Sequence, residues 1–461
     1  MKPLLFVVGS TTSYRLQRVF AQYCVANGRP VCFLYDNPPD ALFAEVEADA
    51  LTMNARALAL DTLLQDGEIP DIRFDRMPVP WRAKLFSFLA PAKDSIMVRI
   101  LGARMAAAQR VFKELSPTAI VVAEDGISGP AAVIAAARSM AIPVVDLPYG
   151  YGTQPDLEIA LEEKVADNEL LHPEGHLGRL VQWLAPTWIK KGRFAGCIIF
   201  PTNYIVAREA LGMTLQNAWV VHGGYADCLL VESEQMMRLY RGEGLPPEKL
   251  ALTGTPYCDT MFAALERDNR ARAAFRRAQR VENGPLRILV SWPTSYHESR
   301  AAHCEFATYQ DMSREILGWL HALPECCLTV SLHPAIQGEN RALIESMGLS
   351  ISQEYVIDLI PKNDIYISYF SSTQRWAIAA GKPVVNYDAY KVGLTIYDSA
   401  PGFHNATSFE DFKAVLQRLT SDGAFEKDVA KQLTVAEDWG LIDGQCMQRM
   451  LATIDQLTLK A

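Results

Sequence analysis

The sequence predicts an α/β protein built from two domains. Short apolar, β-branched segments alternate with helix-like segments, which is typical of βαβ units with parallel strands. The alternation stops at a charged stretch over residues 266–283 and restarts beyond it. A chain of 461 residues is also too long for one hydrophobic core. We therefore expect an N-terminal domain over residues 1–265, a linker over 266–285, and a C-terminal domain over 286–461 that ends in helices.

The strand-like segments set the order of elements in each domain. The region from 50 to 115 reads as mostly helical, and so does the tail over 408–458. The first domain has apolar segments at 4–8, 30–35, 119–123, 142–147, 218–222, 227–231 and 250–254. The second has them at 286–291, 328–332, 365–369 and 384–387.

Composition restricts the function and the compartment. A net charge of −9 argues against a broad nucleic-acid surface. Nine cysteines are scattered without a CxxC pair or a zinc-type spacing, so we expect reduced thiols and no structural metal. The opening MKPLLFVVGS is too short for a secretion signal, and no apolar run reaches the ~20 residues that span a bilayer. These features predict a cytoplasmic protein.

Polar residues follow three predicted strands of the first domain. Gly9 and Ser10 follow the first strand, Glu124 and Asp125 follow the strand at 119–123, and Tyr149 follows the strand at 142–147. Ligands of parallel α/β sheets bind at the carboxyl ends of the strands. The two acids can act as a general base, bind a sugar hydroxyl or cap the next helix. The Gly9 loop contains neither GxGxxG nor GxxxxGK[ST], so it does not predict a dinucleotide or Walker-type site.

The second domain contains a candidate anion site. Ser371, Ser372 and Thr373 lie between the strand at 365–369 and the helical segment QRWAIAA, which stops at Gly381-Lys382-Pro383. Unpaired amides at a helix start, with hydroxyls beside them, favour a bound anion. The alternative is that the serines are ordinary helix caps.

Aromatic and basic residues are interleaved between about 160 and 205. The relevant residues are Trp183, Trp188, Lys190, Lys191 and Arg193. This composition suits a membrane surface or a lipid-linked substrate. The alternative is a core helix with a solvated basic edge.

Three segments resemble glycosyltransferases of the GT-B fold. They are GLPPEKLALTGTPYCD, the strand end SLHP, and NDIYISYFSSTQRWAIAAGKPVVNYD. They are similar to segments of capsule-type transferases and of the related UDP-GlcNAc 2-epimerase and CDP-glycerol glycerophosphotransferase groups. The pairing of His-Pro with Ser-Ser also resembles transferases that use CMP-linked sugars. The resemblance implies two Rossmann-like βαβ domains facing a central cleft, followed by C-terminal helices.

The resemblance also implies roles for individual residues. Ser371, Ser372 and Thr373 would bind the donor phosphate, and His333 would donate to a phosphate oxygen. Trp292, Pro293 and Thr294 would line the donor pocket, with Tyr296, His297 and Glu298 in the loop that follows. Glu124 and Asp125 would supply the acid or base, with His222 as a weaker option, and Gly9, Ser10 and Tyr149 would line the acceptor cleft. Trp376 departs from the acidic residue that many of these families have at its position, and Tyr149-Gly150 replaces their Gln-His-Gly.

The function implied is sugar transfer from a nucleotide-sugar donor to a glycan or lipid-linked acceptor in bacterial surface-polysaccharide assembly. No metal or other cofactor is implied, and contact with the inner face of the membrane is allowed. Three alternatives stay open: a sugar-nucleotide 2-epimerase, a CDP-glycerol-type glycerophosphotransferase, and a non-catalytic nucleotide-sugar binding protein.

Overall fold

The chain folds into two compact units, which we describe separately. One unit comprises Met1–Glu232, Met236–Pro256 and Met447–Ala461, and the other comprises Ser233–Gln235 and Tyr257–Cys446. The computed structural model describes residues 2–65, 67–76, 81, 84–86, 96–150, 157–158, 161–162, 164–165, 169–279, 285–421 and 424–460.

The first unit is built on a seven-stranded parallel sheet. Its strand order is β3-β2-β1-β4-β5-β6-β7. Leu4 of β1 pairs with Val31 of β2 on one side and with Ala119 of β4 on the other. The strands are β1 (Leu4–Val8), β2 (Val31–Tyr35), β3 (Arg56–Ala59), β4 (Ala119–Val122), β5 (Val144–Asp146), β6 (Cys228–Val231) and β7 (Leu250–Leu252).

Helices cover this sheet and supply much of the apolar core. Helix α4 is rich in alanine, and all nine of its residues are buried, so it packs closely against its neighbours. The helices of this part of the chain are α1 (Thr11–Ala26), α2 (Ala41–Thr52), α3 (Ile96–Leu115), α4 (Ala131–Ser139), α5 (Gly175–Leu184), α6 (Thr202–Ala210) and α7 (Glu234–Gly242). Single turns of 3-10 helix span Leu60–Leu63, Pro186–Trp188 and Pro247–Lys249.

The second unit is built on a six-stranded parallel sheet. Its strand order is β10-β9-β8-β11-β12-β13. The central strand β8 pairs along its full length with β9, from Leu286 opposite Cys326 to Trp292 opposite Leu332. The strands are β8 (Leu286–Trp292), β9 (Cys326–Leu332), β10 (Ile351–Ser352), β11 (Ile365–Ser368), β12 (Val384–Tyr387) and β13 (Phe403–Ala406).

The remaining helices belong mainly to the second unit. Short 3-10 turns span Ala301–His303 and Ile360–Lys362. The helices are α8 (Pro256–Gln279), α9 (His297–Arg300), α10 (Tyr309–His321), α11 (Gly338–Ser346), α12 (Val356–Leu359), α13 (Gln374–Ala379), α14 (Phe409–Leu419), α15 (Ala424–Leu433), α16 (Ala436–Trp439) and α17 (Cys446–Lys460).

Two parallel sheets with surrounding helices confirm the predicted α/β fold class, but several local expectations differ. The segment 218–222 is not a strand: the Trp219 amide donates to Asn217 Oδ1, and Val221 O accepts from Gly126 N, so its polar groups bond loops instead of a sheet. Strand β3 lies inside the stretch expected to be helical.

The charged stretch expected as a linker also has a different structure. Its residues continue helix α8 as far as Gln279, and residues 280–284 lie outside the described residues. The final residues, Met447–Ala461, group with the first unit and not with the second.

Candidate functional site

The strand order of the first unit creates a crevice between β1 and β4. From β1 the chain adds β2 and β3 on one side, and then β4 to β7 on the other. The loops after β1 and β4 therefore diverge at their carboxyl ends, the usual ligand position in open α/β sheets. Gly9 and Ser10 directly follow β1, and Glu124 and Asp125 follow β4 after Ala123.

Gly9 and Ser10 are exposed at this position, and both are engaged in local structure. Ser10 is the N-cap of α1: its Oγ accepts from the Ser13 amide at 3.3 Å, and Ser13 Oγ in turn accepts from the Ser10 amide. The Gly9 carbonyl accepts from Asn37 Nδ2 at 2.8 Å. The Ser10 hydroxyl is therefore engaged in capping α1.

Glu124 and Asp125 have opposite environments although they are neighbours in sequence. Glu124 is half-buried, and its carboxylate is hydrogen-bonded to the hydroxyl of half-buried Tyr149. Burial raises the pKa of Tyr149, and the charge of Glu124 raises it further, so this hydroxyl stays protonated and donates. Asp125 is 1 % exposed, and its Oδ2 accepts from the Ala226 amide at 2.7 Å. Glu124 is therefore the acid that solvent or an acceptor can reach.

Asp125 belongs to a buried cluster with Asp146 and His222. Asp146 Oδ2 and His222 Nδ1 are 2.6 Å apart. Burial and the charge of Asp146 raise the pKa of Asp125 to about 7. Burial raises the pKa of Asp146 well above its ordinary value and lowers that of His222, so the imidazole is neutral at pH 7. Sequence reasoning missed Asp146, although an acid in an otherwise apolar strand signals a buried partner.

Two glycines fix the loop that carries these acids. A Cβ on Gly126 would lie 2.1 Å from the Val221 carbonyl oxygen, and one on Gly129 would lie 2.5 Å from that of Glu124. Neither glycine has a positive φ, so close packing and not backbone conformation requires them. The loop thus approaches its own backbone and the segment before β6 too closely for any side chain.

In the second unit the strand order reverses between β8 and β11. The chain places β9 and β10 on one side of β8, and then β11 to β13 on the other. Thr294 follows β8, His333 follows β9, and Ser371 follows β11. Because β8 lies between β9 and β11, His333 and Ser371 follow strands about 9–10 Å apart at the same edge.

The segment after β11 presents polar groups that lack protein partners. Phe370 has a φ of 42°, and its amide donates to Asn386 Oδ1 at 2.7 Å, which turns the chain sharply. Among the residues that the structure describes, no acceptor bonds the amides of Ser371 and Ser372, and no partner bonds the exposed Ser372 hydroxyl. Two consecutive free amides with a hydroxyl beside them form an anion-binding concavity.

A chain of hydrogen-bonded hydroxyls connects this turn to the sheet. Ser371 Oγ lies 2.8 Å from Thr373 Oγ1, which lies 2.5 Å from the Tyr366 hydroxyl. Tyr366 donates to Ser291 Oγ on β8 at 2.7 Å. Thr373 therefore supports Ser371. Because α13 has only six residues, the local amides matter more than a helix dipole.

The predicted donor pocket divides between core and edge. Trp292 is 1 % exposed, and its ring centroid lies 5.1 Å from that of Tyr369, so it is a core residue. Pro293 is also buried, and its carbonyl accepts from the Tyr309 hydroxyl; Thr294 is half-buried. The aromatic surface that adjoins Ser371 is instead formed by half-buried Tyr296 and Phe370, whose centroids are 5.2 Å apart.

His333 is exposed, and its tautomer follows from its neighbours. The Ala335 amide donates to His333 Nδ1 at 3.2 Å, so the proton of the neutral ring is on Nε2. Partial desolvation by the surrounding atoms lowers the pKa of His333. At neutral pH this ring is a neutral donor at the edge of the sheet.

Trp376 and part of the basic and aromatic region are buried in the protein. Trp376 is buried in the second unit, and its ring lies 5.2 Å from that of Tyr257 and under the Arg375 guanidinium. In the basic and aromatic region, Trp188 and Lys190 are buried, and Lys190 donates to Glu158 Oε1 at 2.8 Å. Trp183, Lys191 and Arg193 are exposed, Trp183 to 73 %. In the described part of the chain, no helix is long and apolar enough to cross a membrane.

Metal-ligand residue types converge at two places among the described residues. One is the buried cluster of Asp125, Asp146 and His222, and the other is the group of Asp259, Asp443 and Cys446. In the second group the Cys446 amide donates to Asp259 Oδ1 at 2.9 Å, so Asp259 holds the first residue of α17.

Comparisons with known proteins place the fold. No protein-family model matches the chain. No curated protein matches it either. Among solved structures, UDP-GlcNAc 2-epimerase from Neisseria meningitidis, bound to UDP-GlcNAc, has a TM-score of 0.53 at 14 % identity and covers 98 % of this chain and 100 % of its own. The glycotransferase of kitacinnamycin has a TM-score of 0.52 at 11 % identity, with 99 % of each chain covered.

The wall teichoic acid polymerase TagF is similar as well. It has a TM-score of 0.50 at 12 % identity, covering 100 % of this chain and 90 % of its own. The chain therefore has the two-domain α/β fold of GT-B enzymes, and the structural similarity to epimerases and transferases confirms the resemblance that the sequence motifs predicted.

Proposed function

We propose that this protein is a glycosyltransferase that moves a sugar from a nucleotide-sugar donor to a glycan or lipid-linked acceptor in bacterial surface-polysaccharide assembly. A CMP-linked sugar is one candidate donor. One observation carries the proposal: Ser371 and Ser372 present an exposed hydroxyl and two amides without an acceptor among the described residues, where the strand order of the second sheet reverses. Such a group of donors suits a phosphate better than a neutral ligand.

The donor would bind along the carboxyl edge of the second sheet. Its phosphate would accept from the Ser371 and Ser372 amides, with Thr373 holding Ser371 in place. His333 Nε2 would donate to a further phosphate oxygen. The base would lie on the aromatic surface of Tyr296 and Phe370, next to Thr294. These uncharged donors would stabilise negative charge on the leaving phosphate as the sugar–oxygen bond breaks.

The acceptor hydroxyl would be activated in the first unit by Glu124. Its carboxylate would take the proton while the acceptor oxygen forms the new bond to the sugar. The Tyr149 hydroxyl orients this carboxylate. Gly9 and Ser10 would line the acceptor side, because they follow the strand adjacent to β4. Asp125 supports Glu124 from the interior and does not meet the substrate, since its carboxyl is buried.

The first experiment is a thermal-shift panel of UDP-, CDP-, CMP-, GDP- and ADP-linked compounds. We expect one nucleotide class to raise the melting temperature. Ser372→Ala should weaken this shift, and Ser372→Asp should abolish it, because a carboxylate at this position repels phosphate. Ser346→Ala, an exposed serine at the end of α11, is the matched control and should keep the full shift. A folded protein that responds to none of these compounds contradicts the proposal.

A second candidate is a sugar-nucleotide 2-epimerase. It is favoured by the structural similarity to UDP-GlcNAc 2-epimerase, which spans nearly all of both chains. An epimerase acts on the nucleotide sugar alone, so proton NMR of donor and protein without acceptor separates the two reactions. A new sugar epimer supports the epimerase. Release of free nucleotide that depends on acceptor supports the transferase, and a CDP-alcohol as the sole substrate would indicate a glycerophosphotransferase. Binding without any turnover would indicate a non-catalytic binding protein.

We also propose a cytoplasmic protein that contacts the inner face of the membrane at its surface. The nine cysteines, all of them among the described residues, form no disulfide, which suits a reducing compartment. Trp183 is mostly exposed on α5, and Leu177, six residues earlier on the same helix, is also exposed. Co-sedimentation with vesicles should decrease in a Trp183→Ala variant. Equal sedimentation of both proteins would contradict this contact.

A further inference from the structure

Three titratable side chains of the first unit meet in a completely buried cluster. Asp125 follows β4, Asp146 ends β5, and His222 lies in the segment before β6; their exposed fractions are 1 %, 0 % and 1 %. His222 Nδ1 bonds Asp146 Oδ2 at 2.6 Å, and the Ala226 amide donates to Asp125 Oδ2 at 2.7 Å. Each carboxyl thus has one satisfied oxygen. The other oxygen of each, Oδ1, is buried and has no donor among the described residues.

The carboxyls of Asp125 and Asp146 lie close together, because one oxygen of each lies within 4.8 Å of the other and of a His222 ring nitrogen. Two adjacent buried negative charges repel strongly, and the charge of Asp146 raises the pKa of Asp125. A single proton removes this repulsion, because one carboxyl then donates to the other and supplies a donor that the buried Oδ1 atoms lack.

The cations near the cluster do not neutralise the two carboxyls, because they bond backbone carbonyls instead. Lys249 Nζ donates to the carbonyls of Gly224 and Ala226 at 2.6 and 2.8 Å. Arg138 donates to the Tyr225 carbonyl at 3.0 Å and lies over the Tyr225 ring. Both cations therefore hold the backbone of the segment before β6. The acids nearby, Glu124, Asp227 and Glu243, add negative charge around the cluster and its neighbours.

A metal ion fits this geometry less well than a proton. Two ligands of one zinc ion, each about 2.0–2.1 Å from the metal, lie roughly 3.3 Å apart in a tetrahedral site. The separation of 2.6 Å between His222 Nδ1 and Asp146 Oδ2 is that of a direct hydrogen bond. The neutral imidazole donates from Nδ1, and the carboxyl pair requires one positive charge, which a proton supplies.

We propose that Asp125 and Asp146 share one proton, and that this protonated pair positions Glu124 for its role as base. The second half of this inference rests on the proposed function. Glu124 precedes Asp125, so the bond that Asp125 accepts from the Ala226 amide, together with the proton shared with Asp146, sets the direction of the Glu124 backbone. The adjacent Gly126 amide, which donates to the Val221 carbonyl at 2.8 Å, holds the same loop. Loss of the proton leaves two carboxylates that repel each other, and one of them belongs to Asp125, the residue next to Glu124.

The shared proton has a consequence for stability. Burial and the charge of Asp146 raise the pKa of Asp125 from 3.8 in an unfolded chain to about 7. Between these values the native state keeps a proton that the unfolded state has lost. The contribution of this pair to stability therefore falls as the pH rises through this window. An Asp125→Asn variant mimics the protonated acid, since its amide donates to Asp146 and its oxygen accepts from Ala226.

Infrared spectroscopy in deuterated water tests the proton directly. The wild-type protein should show the carbonyl band of a protonated carboxylic acid at about pH 6, far above the ordinary pKa of Asp, and lose it with a midpoint near pH 7. Asp125→Asn and Asp146→Asn should both lack the band. Asp227→Asn is the matched control, because Asp227 Oδ2 accepts from the Val144 amide and no carboxyl of the described residues bonds Asp227; this variant should keep the band.

Urea unfolding and kinetics separate the two halves of the proposal. The free energy of unfolding should fall less between about pH 4 and 7 in Asp125→Asn than in the wild-type protein. The reason is that the variant lacks the carboxyl that keeps a proton in the native state. In the transferase assay, the fall of kcat/KM at alkaline pH should disappear in the same variant. An unchanged alkaline limb overturns the positioning role alone.

Some outcomes would overturn the shared proton itself. The absence of a protonated carboxyl band in the wild-type protein above about pH 6 would do so, and this result depends neither on the folding of a variant nor on a substrate. A stoichiometric metal in protein purified without chelator would do so as well. If the band is present but no donor is turned over, the proposed function and the role of Glu124 fail while the shared proton stands.

Discussion

Glu124 and Asp125 are neighbours in one loop, but their side chains lie in different environments, and we propose different roles for them. Glu124 is half-buried and bonded to Tyr149, whereas Asp125 is enclosed beside Asp146 and His222. A base must reach the hydroxyl that it deprotonates, and a buried carboxyl cannot. At this scale, therefore, accessibility decides between two acids that look equivalent in the sequence.

A Glu124→Gln substitution tests the role of the base. The amide keeps the shape and can still accept from Tyr149, but it cannot take a proton. We expect kcat to fall by about 10²- to 10⁴-fold. The melting temperature and the donor-induced shift should be unchanged, since Ser371 and Ser372 lie in the other unit. Wild-type kcat in this variant would exclude Glu124 as the base.

A Gly126→Ala substitution tests the close packing of the same loop. The new Cβ would lie 2.1 Å from the Val221 carbonyl oxygen, which is backbone and cannot swing away. We expect a loss of at least about 1–3 kcal/mol, seen as a lower melting temperature. Gly318→Ala is the control: it lies within α10 with open space around its Cβ and should stabilise by about 0.5–1 kcal/mol. Equal stability of the two variants would contradict the packing argument.

At the scale of elements, the last helix connects the C-terminal sequence to the first unit. Arg449 Nε donates to the Thr253 carbonyl just beyond β7 at 3.0 Å, and Arg29 pairs with Asp455. Met450 and Ile454 are completely buried. The sequence predicts a helix in this region. Its membership in the first unit depends on contacts more than 190 residues away in the chain, which local patterns do not encode.

An Ile454→Ala substitution measures this attachment. Removing a buried isoleucine side chain should cost about 2–5 kcal/mol and lower the melting temperature. Leu459→Ala, on the same helix but 87 % exposed, should change stability by no more than about 0.5 kcal/mol. Similar melting temperatures for both variants would show that α17 does not contribute to the core of the first unit.

At the scale of the whole molecule, the proposed chemistry uses amides and hydroxyls to bind the leaving phosphate. We therefore expect turnover to persist in excess EDTA, with at most a small change in kcat/KM. The measurement is acceptor-dependent nucleotide release with EDTA and, as its control, with added Mg²⁺. Loss of turnover in EDTA that Mg²⁺ restores would show that a metal takes over the role assigned here to Ser371 and Ser372.

Much of the fold could be predicted because it depends on local patterns. Apolar segments predict β1, β2, β4, β5, β6, β7, β8, β9, β11 and β12, each within a residue or two of its observed bounds. The segment 218–222 has the same apolar composition and is not a strand, because its backbone bonds the loop after β4. Strand β3 is half exposed and was hidden in a helix-like region. Composition alone does not separate these cases.

The sequence by itself determined the alternation of strands and helices, the break between two βα series, and the polar residues that follow the strands. Each of these depends on residues close together in the chain. Only the tertiary structure decided that Trp292 belongs to the core, that no described acceptor bonds the Ser371 and Ser372 amides, and that Asp146 and His222 join Asp125. Burial and hydrogen-bond partners depend on segments that are distant in sequence, and so does the state of ionisation that follows from them.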